Sequence, residues 1–149
     1  MTMNKIRLAA GAVFACLAIA SAAVQAADHA YSEGPVVNVA RIRTINGHFD
    51  DYMKYLDTVW KQSQEAAKKA GYITDYQVLS VEARNESDPD ILLVVTYKNW
   101  AALDGALDKG DAIAKQVEGS VEASAHSFGD RDKIRRTLGS TTMQVLNLK

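Results

Sequence analysis

The stretch Ile91-Leu92-Leu93-Val94-Val95-Thr96-Tyr97 decides the fold of this 149-residue chain. Aliphatic and aromatic side chains dominate it, and no charged residue interrupts it, which predicts a β-strand. A strand that is apolar on both of its faces is normally covered on both sides. Any architecture proposed for this chain must therefore bury both faces of this strand.

A polar turn precedes this strand, at residues 84–90, and combines Asn, Ser, Asp and Pro in one short run. Before the turn, residues 72–83 alternate loosely between apolar and polar side chains, which predicts another strand. Two strands joined by a short polar segment form a β-hairpin in most proteins. The middle of the chain is thus predicted to be an antiparallel pair.

The preceding part of the chain predicts one strand and one helix. Residues 36–45 alternate in the manner of a strand, and an Asn-Gly pair ends it. Apolar residues with helical spacing then run from Phe49 to Ala70, and Gly71 follows at a C-cap position. These residues predict a long amphipathic helix that packs on the sheet.

The following part of the chain predicts an extended helical region and a last strand. Asn99 is a favourable N-cap for the second helical region. Glycines weaken this region, which predicts a break near Gly110 or Gly119. A short helix is predicted to restart at residues 129–139, and a final strand is predicted at residues 141–149.

The resulting order is β-α-β-β-α-β with an extended second helical region. This order predicts an α+β, ferredoxin-like domain, in which helices cover one face of a four-stranded antiparallel sheet. The helices leave the other face of the apolar strand bare. A second copy of the chain is the simplest cover, which predicts a homodimer with its sheets face to face.

The chain resembles the dimeric α/β-barrel superfamily, including its antibiotic-biosynthesis monooxygenase-like and stress-responsive relatives. The resemblance lies in residues 45–49 (INGHF), 70–72 (AGY) and 96–100 (TYKNW). It implies a dimeric α/β barrel, often with a small-molecule pocket between sheet and helices. It implies no particular reaction, because one fold hosts many functions.

The first residues predict export. Lys5 and Arg7 precede an apolar run at residues 8–24, and small residues end it. This pattern is typical of a bacterial secretory signal peptide over residues 1–26, cleaved near Ala26, which would place the protein in the periplasm or outside the cell. A lipid anchor through Cys16 and an uncleaved membrane anchor are disfavoured, because the apolar run continues past Cys16 and is short for a membrane span.

Cleavage would leave a flexible leader at residues 27–35 and a single ferredoxin-like domain at residues 36–149. It would also remove Cys16, the only cysteine, and with it any disulfide or thiol chemistry. The remaining chain is slightly acidic, which argues against binding of nucleic acid. No contact with the membrane is predicted after cleavage.

Aromatic residues are the strongest indication of a ligand pocket. Tyr52 and Trp60 belong to the predicted first helix, Tyr76 to a strand and Trp100 to the start of the second helical region. All four could be ordinary core residues. They could also line a pocket that binds a small apolar or aromatic molecule between sheet and helices.

Two histidines are candidates for chemistry. His48, at the start of the first helix, could act as an acid or base at a pocket rim or could be a polar turn residue. His126 could ligate haem from the second helical region or could be an ordinary surface histidine. Their spacing provides no metal site, and no cofactor is predicted, with haem as an alternative.

Three functions follow from these residues. The favoured one is an exported α/β-barrel protein that binds a small apolar or aromatic molecule. The first alternative is a cofactor-independent monooxygenase-like or isomerase-like enzyme, which would use His48 or a buried tyrosine. The second alternative is a b-type haem-binding protein that uses His126.

Overall fold

Strands and helical regions follow one another in the predicted order β-α-β-β-α-β in residues 29–149, the part of the chain that the computed structural model describes. The predicted signal peptide, residues 1–26, lies outside the described residues. The elements in chain order are β1 (Tyr31–Thr44), α1 (Phe49–Tyr55), a π-helical turn (Leu56–Trp60), α2 (Lys61–Lys69), β2 (Asp75–Ser80), β3 (Ile91–Tyr97), a 3-10 helix (Trp100–Leu103), α3 (Ala106–Glu118), α4 (Val121–Arg131) and β4 (Arg135–Leu148).

The four strands form one antiparallel sheet in the order β2-β3-β1-β4. The apolar strand β3 is central in this sheet, with Val94 opposite both Val39 of β1 and Gln77 of β2. The prediction of an α+β, ferredoxin-like fold is therefore confirmed. A central strand forms hydrogen bonds on both edges, which agrees with the β-branched and aliphatic composition of β3.

The hydrophobic core lies between the sheet and the first helix. Ile42 of β1 and Ile91 and Leu93 of β3 point toward the helices, where Tyr52 and Leu56 pack against them. Tyr52 is among the largest fully buried side chains, with 1% of its surface exposed. One face of the apolar strand is thus buried within a single chain.

No helix within residues 29–149 packs against the other face of the sheet, and we call this face the open face. Its centre is apolar along both central strands, its edge strands carry both apolar and polar side chains, and the register places Arg41 and Arg43 near one end. The apolar side chains of the open face are Val37, Val39, Leu79, Leu92, Val94 and Met143. Leu79 and Met143 are exposed, and the other four are half-buried.

The structure corrects the predicted flexible leader. Strand β1 begins at Tyr31, which pairs with Leu148, so residues 31–35 belong to the sheet. A register shift between Glu33 and Val36 accommodates the Gly-Pro pair that suggested a loop. Bulges are among the few places where a sheet tolerates proline, because proline cannot donate a hydrogen bond to the ladder.

The second helical region agrees with the prediction at Asn99 and at Gly119 and differs from it at the C-terminal end. The side chain of Asn99 accepts a hydrogen bond from the backbone of Ala102, as an N-cap does. The predicted break occurs at Gly119, whose φ is +86°, whereas Gly110 lies inside α3. The short helix predicted at residues 129–139 is wrong, because β4 begins at Arg135 and pairs with β1 from that residue onward.

The burial of Tyr52 predicts a loss of stability at high pH. Burial is the main cause that raises the pKa of the Tyr52 phenol from 10.0 to about 12, and the positive charge of Arg135 opposes it. The stability associated with the neutral phenol is fully present below pH 10 and is lost as the pH rises toward 12. The expected loss of unfolding free energy over this range is about 2–3 kcal/mol.

Urea titrations of the wild type and Tyr52→Phe at several pH values between 9 and 12 would measure this loss. The wild type should lose more stability over this range than Tyr52→Phe, because the variant has no phenol to ionise at that position. Equal pH dependence in the two proteins would contradict the prediction.

Candidate functional site: an aromatic cavity

A cavity of about 330 Å³ lies between the helices and one end of the sheet. We call it the aromatic cavity, because four aromatic side chains line it together with aliphatic ones. The aromatic residues are Tyr55, Trp60, Tyr72 and Tyr97, and the aliphatic ones include Ile73, Leu103, Ile113 and Ala114. Helix α3 contributes one face, and Gly110 lies within that face.

The π-helical turn brings two of these aromatic residues together. Within it the backbone N–H of Lys61 donates to the carbonyl of Leu56, five residues earlier. In an α-helix, residues five apart point roughly 140° away from each other. The wider turn reduces this angle, so that Tyr55 and Trp60 both line the cavity. Single π-helical turns inside α-helices are frequent at functional sites.

Two phenols of the cavity are neutral at physiological pH. Burial raises the pKa of Tyr55, against the opposing positive charge of Arg131, and burial alone raises the pKa of Tyr97. Within the described part of the chain neither hydroxyl has a hydrogen-bond partner. Both hydroxyls can therefore donate a hydrogen bond to a molecule in the cavity.

Charged groups lie at separate places on the cavity wall. The Nζ of Lys109 donates to the carbonyl of Ala102 at 2.8 Å and is 5.6 Å from the centroid of the Tyr72 ring. The carboxylate of Glu118 accepts a hydrogen bond from the Ser124 hydroxyl at 2.7 Å. The third charged group is the guanidinium of Arg131.

Of the four aromatic residues predicted to bind a ligand, Trp60 lines the aromatic cavity. Tyr76 packs against Trp60 in an edge-to-face contact, with 5.4 Å between the two ring centroids. The hydroxyl of Tyr76 donates to a carboxylate oxygen of Glu65 at 2.5 Å. This hydrogen bond is the main reason why the pKa of Tyr76 rises to about 12.

The other two predicted aromatic residues lie elsewhere. Tyr52 belongs to the hydrophobic core and is not part of the cavity wall. Trp100 is 48% exposed, and its indole N–H donates to the side chain of Gln144 at 3.0 Å. The structure thus does not bring the four residues together into one pocket.

The two candidate histidines lie on the surface, away from the aromatic cavity. His48 Nδ1 is 3.0 Å from a carboxylate oxygen of Asp51, and this hydrogen bond is the main cause that lowers the pKa of Asp51. His126 Nδ1 is 3.0 Å from a carboxylate oxygen of Asp130, and its side chain is 81% exposed. A histidine that ligates haem iron normally lies in a pocket that encloses the haem. The catalytic role of His48 and the haem-ligand role of His126 stay predictions.

Residues 29–149 contain no group of three or more His, Cys, Asp or Glu side chains that could hold a metal ion. Within the same residues, no helix combines the length and the apolar composition that a membrane span needs. Two further cavities, of about 560 and 140 Å³, are lined mainly by charged and polar side chains. The aromatic cavity is therefore the better candidate site for an apolar molecule.

Most residues of the cavity wall could not be predicted from the sequence. Tyr55 lies with Trp60 on or beside the apolar face of the predicted first helix, and Tyr97 lies on a predicted strand, but neither was assigned to the ligand pocket. Arg131 begins a run of charged residues, 131–136, that is typical of a solvated helix face, and Lys109 gave no signal in the sequence. The one available signal was the cluster of Gly110 with Ala106 and Ala114, small residues that recur with helical spacing and leave space beside α3.

No protein-family model matches the chain, and no curated protein matches it. Two solved structures are similar to it in fold. HapK from Hahella chejuensis is 10% identical with a TM-score of 0.49, over 72% of this chain and 90% of that one. A dimeric ferredoxin-like protein from an uncultured marine organism is 14% identical with a TM-score of 0.46, over 77% and 97% of the two chains. Similarities this low say nothing of function.

Proposed function

We propose that this protein binds a small, planar, largely apolar molecule in the aromatic cavity. The observation that carries the proposal is the cavity itself, in which four aromatic side chains surround about 330 Å³. This volume lies within the range of small-molecule sites, which are mostly apolar with a few polar groups that orient the ligand. The hydroxyls of Tyr55 and Tyr97 provide such polar groups.

The cavity is partly open to solvent, so a small molecule can reach its aromatic wall. The raised pKa values of Tyr55 and Tyr97 keep both phenols protonated at neutral pH, which favours binding over proton abstraction. Binding of this kind needs no cofactor.

Fluorescence of Trp60 provides the test. The chain has two tryptophans, and Trp100 lies outside the cavity, so the Trp100→Phe variant leaves Trp60 as the only indole. Titration of this variant with 2-naphthol should quench its emission in a saturable way. The expected Kd is below millimolar, because a ligand of this size fills much of the cavity.

A blocked cavity provides the matched comparison. A Cβ added at Gly110 would meet no atom within 4 Å, and Gly110 lines the cavity inside α3. Gly110→Leu should therefore fold, because leucine favours helix formation. Its side chain should occupy the cavity and abolish binding of 2-naphthol. Gly129→Leu makes the same change in α4, outside the cavity wall, and should bind normally. Absence of saturable binding, or equal binding by both variants, would refute the proposed function.

We also propose that the protein acts as a homodimer joined through the open face. An antiparallel sheet that faces water usually presents polar residues there, whereas Val39 and Val94 make the centre of this face apolar. A face of this kind is suited to an isologous dimer, in which the same patch of each copy meets its partner. Light scattering should give twice the mass of one chain, and a monomeric mass would exclude this dimer.

We propose further that the mature protein is exported. The support is the sequence of residues 1–26, which has the basic start, apolar run and small residues of a secretory signal peptide. N-terminal sequencing of the protein recovered from a periplasmic extract should begin near Ala27. An intact N-terminus in the cytoplasmic fraction would contradict this proposal.

A further inference from the structure

Arg131, the last residue of α4, lies on the wall of the aromatic cavity. Asp130 and Asp132 flank it in sequence but pair with other cations. Asp130 is 2.7 Å from Lys133, and Asp132 is 3.2 Å from Arg135. In residues 29–149 no carboxylate oxygen lies within 4 Å of the Arg131 guanidinium.

Aromatic rings hold the guanidinium of Arg131 in place. Its central carbon is 4.4 Å from the centroid of the Tyr55 ring and 5.3 Å from that of the Phe128 ring. Contact with ring faces restrains a guanidinium while its N–H groups stay able to bind a planar anion. Arg131 is half-buried, so an anion there would be partly shielded from water.

The other charges of the cavity leave a positive excess. Lys109 and Arg131 are its cations, and Glu118 is its one carboxylate. Lys109 already donates to the carbonyl of Ala102. Arg131 is thus the cation best placed to recognise a ligand.

We infer that the ligand of the aromatic cavity is an aromatic carboxylate, whose two oxygens accept hydrogen bonds from the guanidinium of Arg131. This inference rests on the proposed function and adds the charge of the ligand to it. A bidentate pair between guanidinium and carboxylate is both strong and geometrically specific. The ring of the ligand would occupy the apolar part of the cavity beside Trp60.

Three probes with the same ring system test this inference at pH 7: 2-naphthoate, 2-naphthol and 2-naphthylmethylammonium. Calorimetric titration should give the tightest binding for the carboxylate and the weakest for the ammonium. The Arg131→Met variant, which keeps an apolar side chain on Tyr55, should bind 2-naphthoate at least about tenfold more weakly. Its affinity for 2-naphthol should change less than about threefold.

Two further variants separate a specific role of Arg131 from a general effect of charge. Arg131→Lys should recover part of the affinity for 2-naphthoate, because it restores the charge but not the bidentate geometry. Arg84→Met removes an exposed arginine that pairs with Asp88, outside the cavity, and should change nothing.

The outcomes distinguish the two proposals. If 2-naphthol binds but 2-naphthoate binds no tighter, or if Arg131→Met weakens both probes equally, the inference about the carboxylate is wrong and the binding function stands. If none of the three probes binds the wild type, the proposed function itself fails.

Discussion

Replacement of Val94 by Glu is expected to turn the proposed dimer into a monomer. Val94 lies on central strand β3, opposite Val39, in the middle of the open face. In the proposed dimer this position is buried against the second copy, and the two-fold symmetry places two such carboxylates in one interface. An uncompensated buried charge costs about 3–5 kcal/mol, so we expect the dissociation constant to rise roughly a thousandfold or more.

Size-exclusion chromatography with light scattering measures this change directly. The fold of each chain should survive, because the same carboxylate is half-exposed to water in a monomer, and the far-ultraviolet circular dichroism should therefore be unchanged. Leu107→Glu is the matched control, since Leu107 is 86% exposed on helix α3 and far from the sheet face. A Val94→Glu protein that stays dimeric would show that the open face is not the interface.

Replacement of Tyr52 by Ala is expected to produce the largest loss of stability within one chain. Tyr52 fills the centre of the core, between Ile42, Leu56 and Ile91, and its ring stacks on Tyr55 at 5.8 Å between centroids. Truncation of a buried aromatic side chain costs about 3–5 kcal/mol, from lost burial and from the cavity left behind. This is a large part of the stability of an ordinary domain.

Urea denaturation at one fixed protein concentration measures the loss, because dimerisation would otherwise change the apparent stability. If Tyr52→Ala does not fold, Tyr52→Leu provides a milder test with an expected loss of about 1–3 kcal/mol. Leu107→Ala removes an exposed apolar side chain and should change stability by less than about 0.5 kcal/mol. A loss below about 1 kcal/mol in Tyr52→Ala would contradict the assigned core.

The fold could be predicted because its determinants are local. The apolar composition of Ile91–Tyr97 predicted a buried strand, and Asn99 predicted the N-cap of the second helical region. The glycines predicted a break near Gly110 or Gly119, and the break occurs at Gly119. Each of these signals depends on neighbouring residues alone. They were sufficient to order the elements, and the order is that of a ferredoxin-like sheet.

The errors come from residues whose structure depends on a distant partner. Residues 31–35 contain Gly and Pro and suggest a loop, but the far end of β4 pairs with them. Ile134 and Leu138 lie four residues apart, which suggests a helix, but residues 135–138 form a strand because this part of the chain pairs with β1. Pairing with an existing strand outweighed the local preference in both places.

The aromatic cavity was harder to predict than the fold for the same reason. Trp60 was identified by its size and apolar character alone. The residues around it come from α1, β3, α3 and α4, and only the packed structure shows that they meet. The π-helical turn adds a local change of periodicity that an α-helical template does not contain, and this change brings Tyr55 to the cavity.

The pairing of β1 with β4 also determines how this protein folds. The ladder runs from Tyr31 opposite Leu148 to Thr44 opposite Arg135, and closure of so long a loop, roughly a hundred residues, is slow. The β2–β3 hairpin, in contrast, closes between Ser80 and Ile91 and can form early. Arg131 ends α4, and only three residues separate it from β4, so we expect its place on the cavity wall to depend on the docking of this last strand. The binding site is then completed in a late step of folding, and refolding followed by Trp60 emission would lag behind the formation of the hairpin.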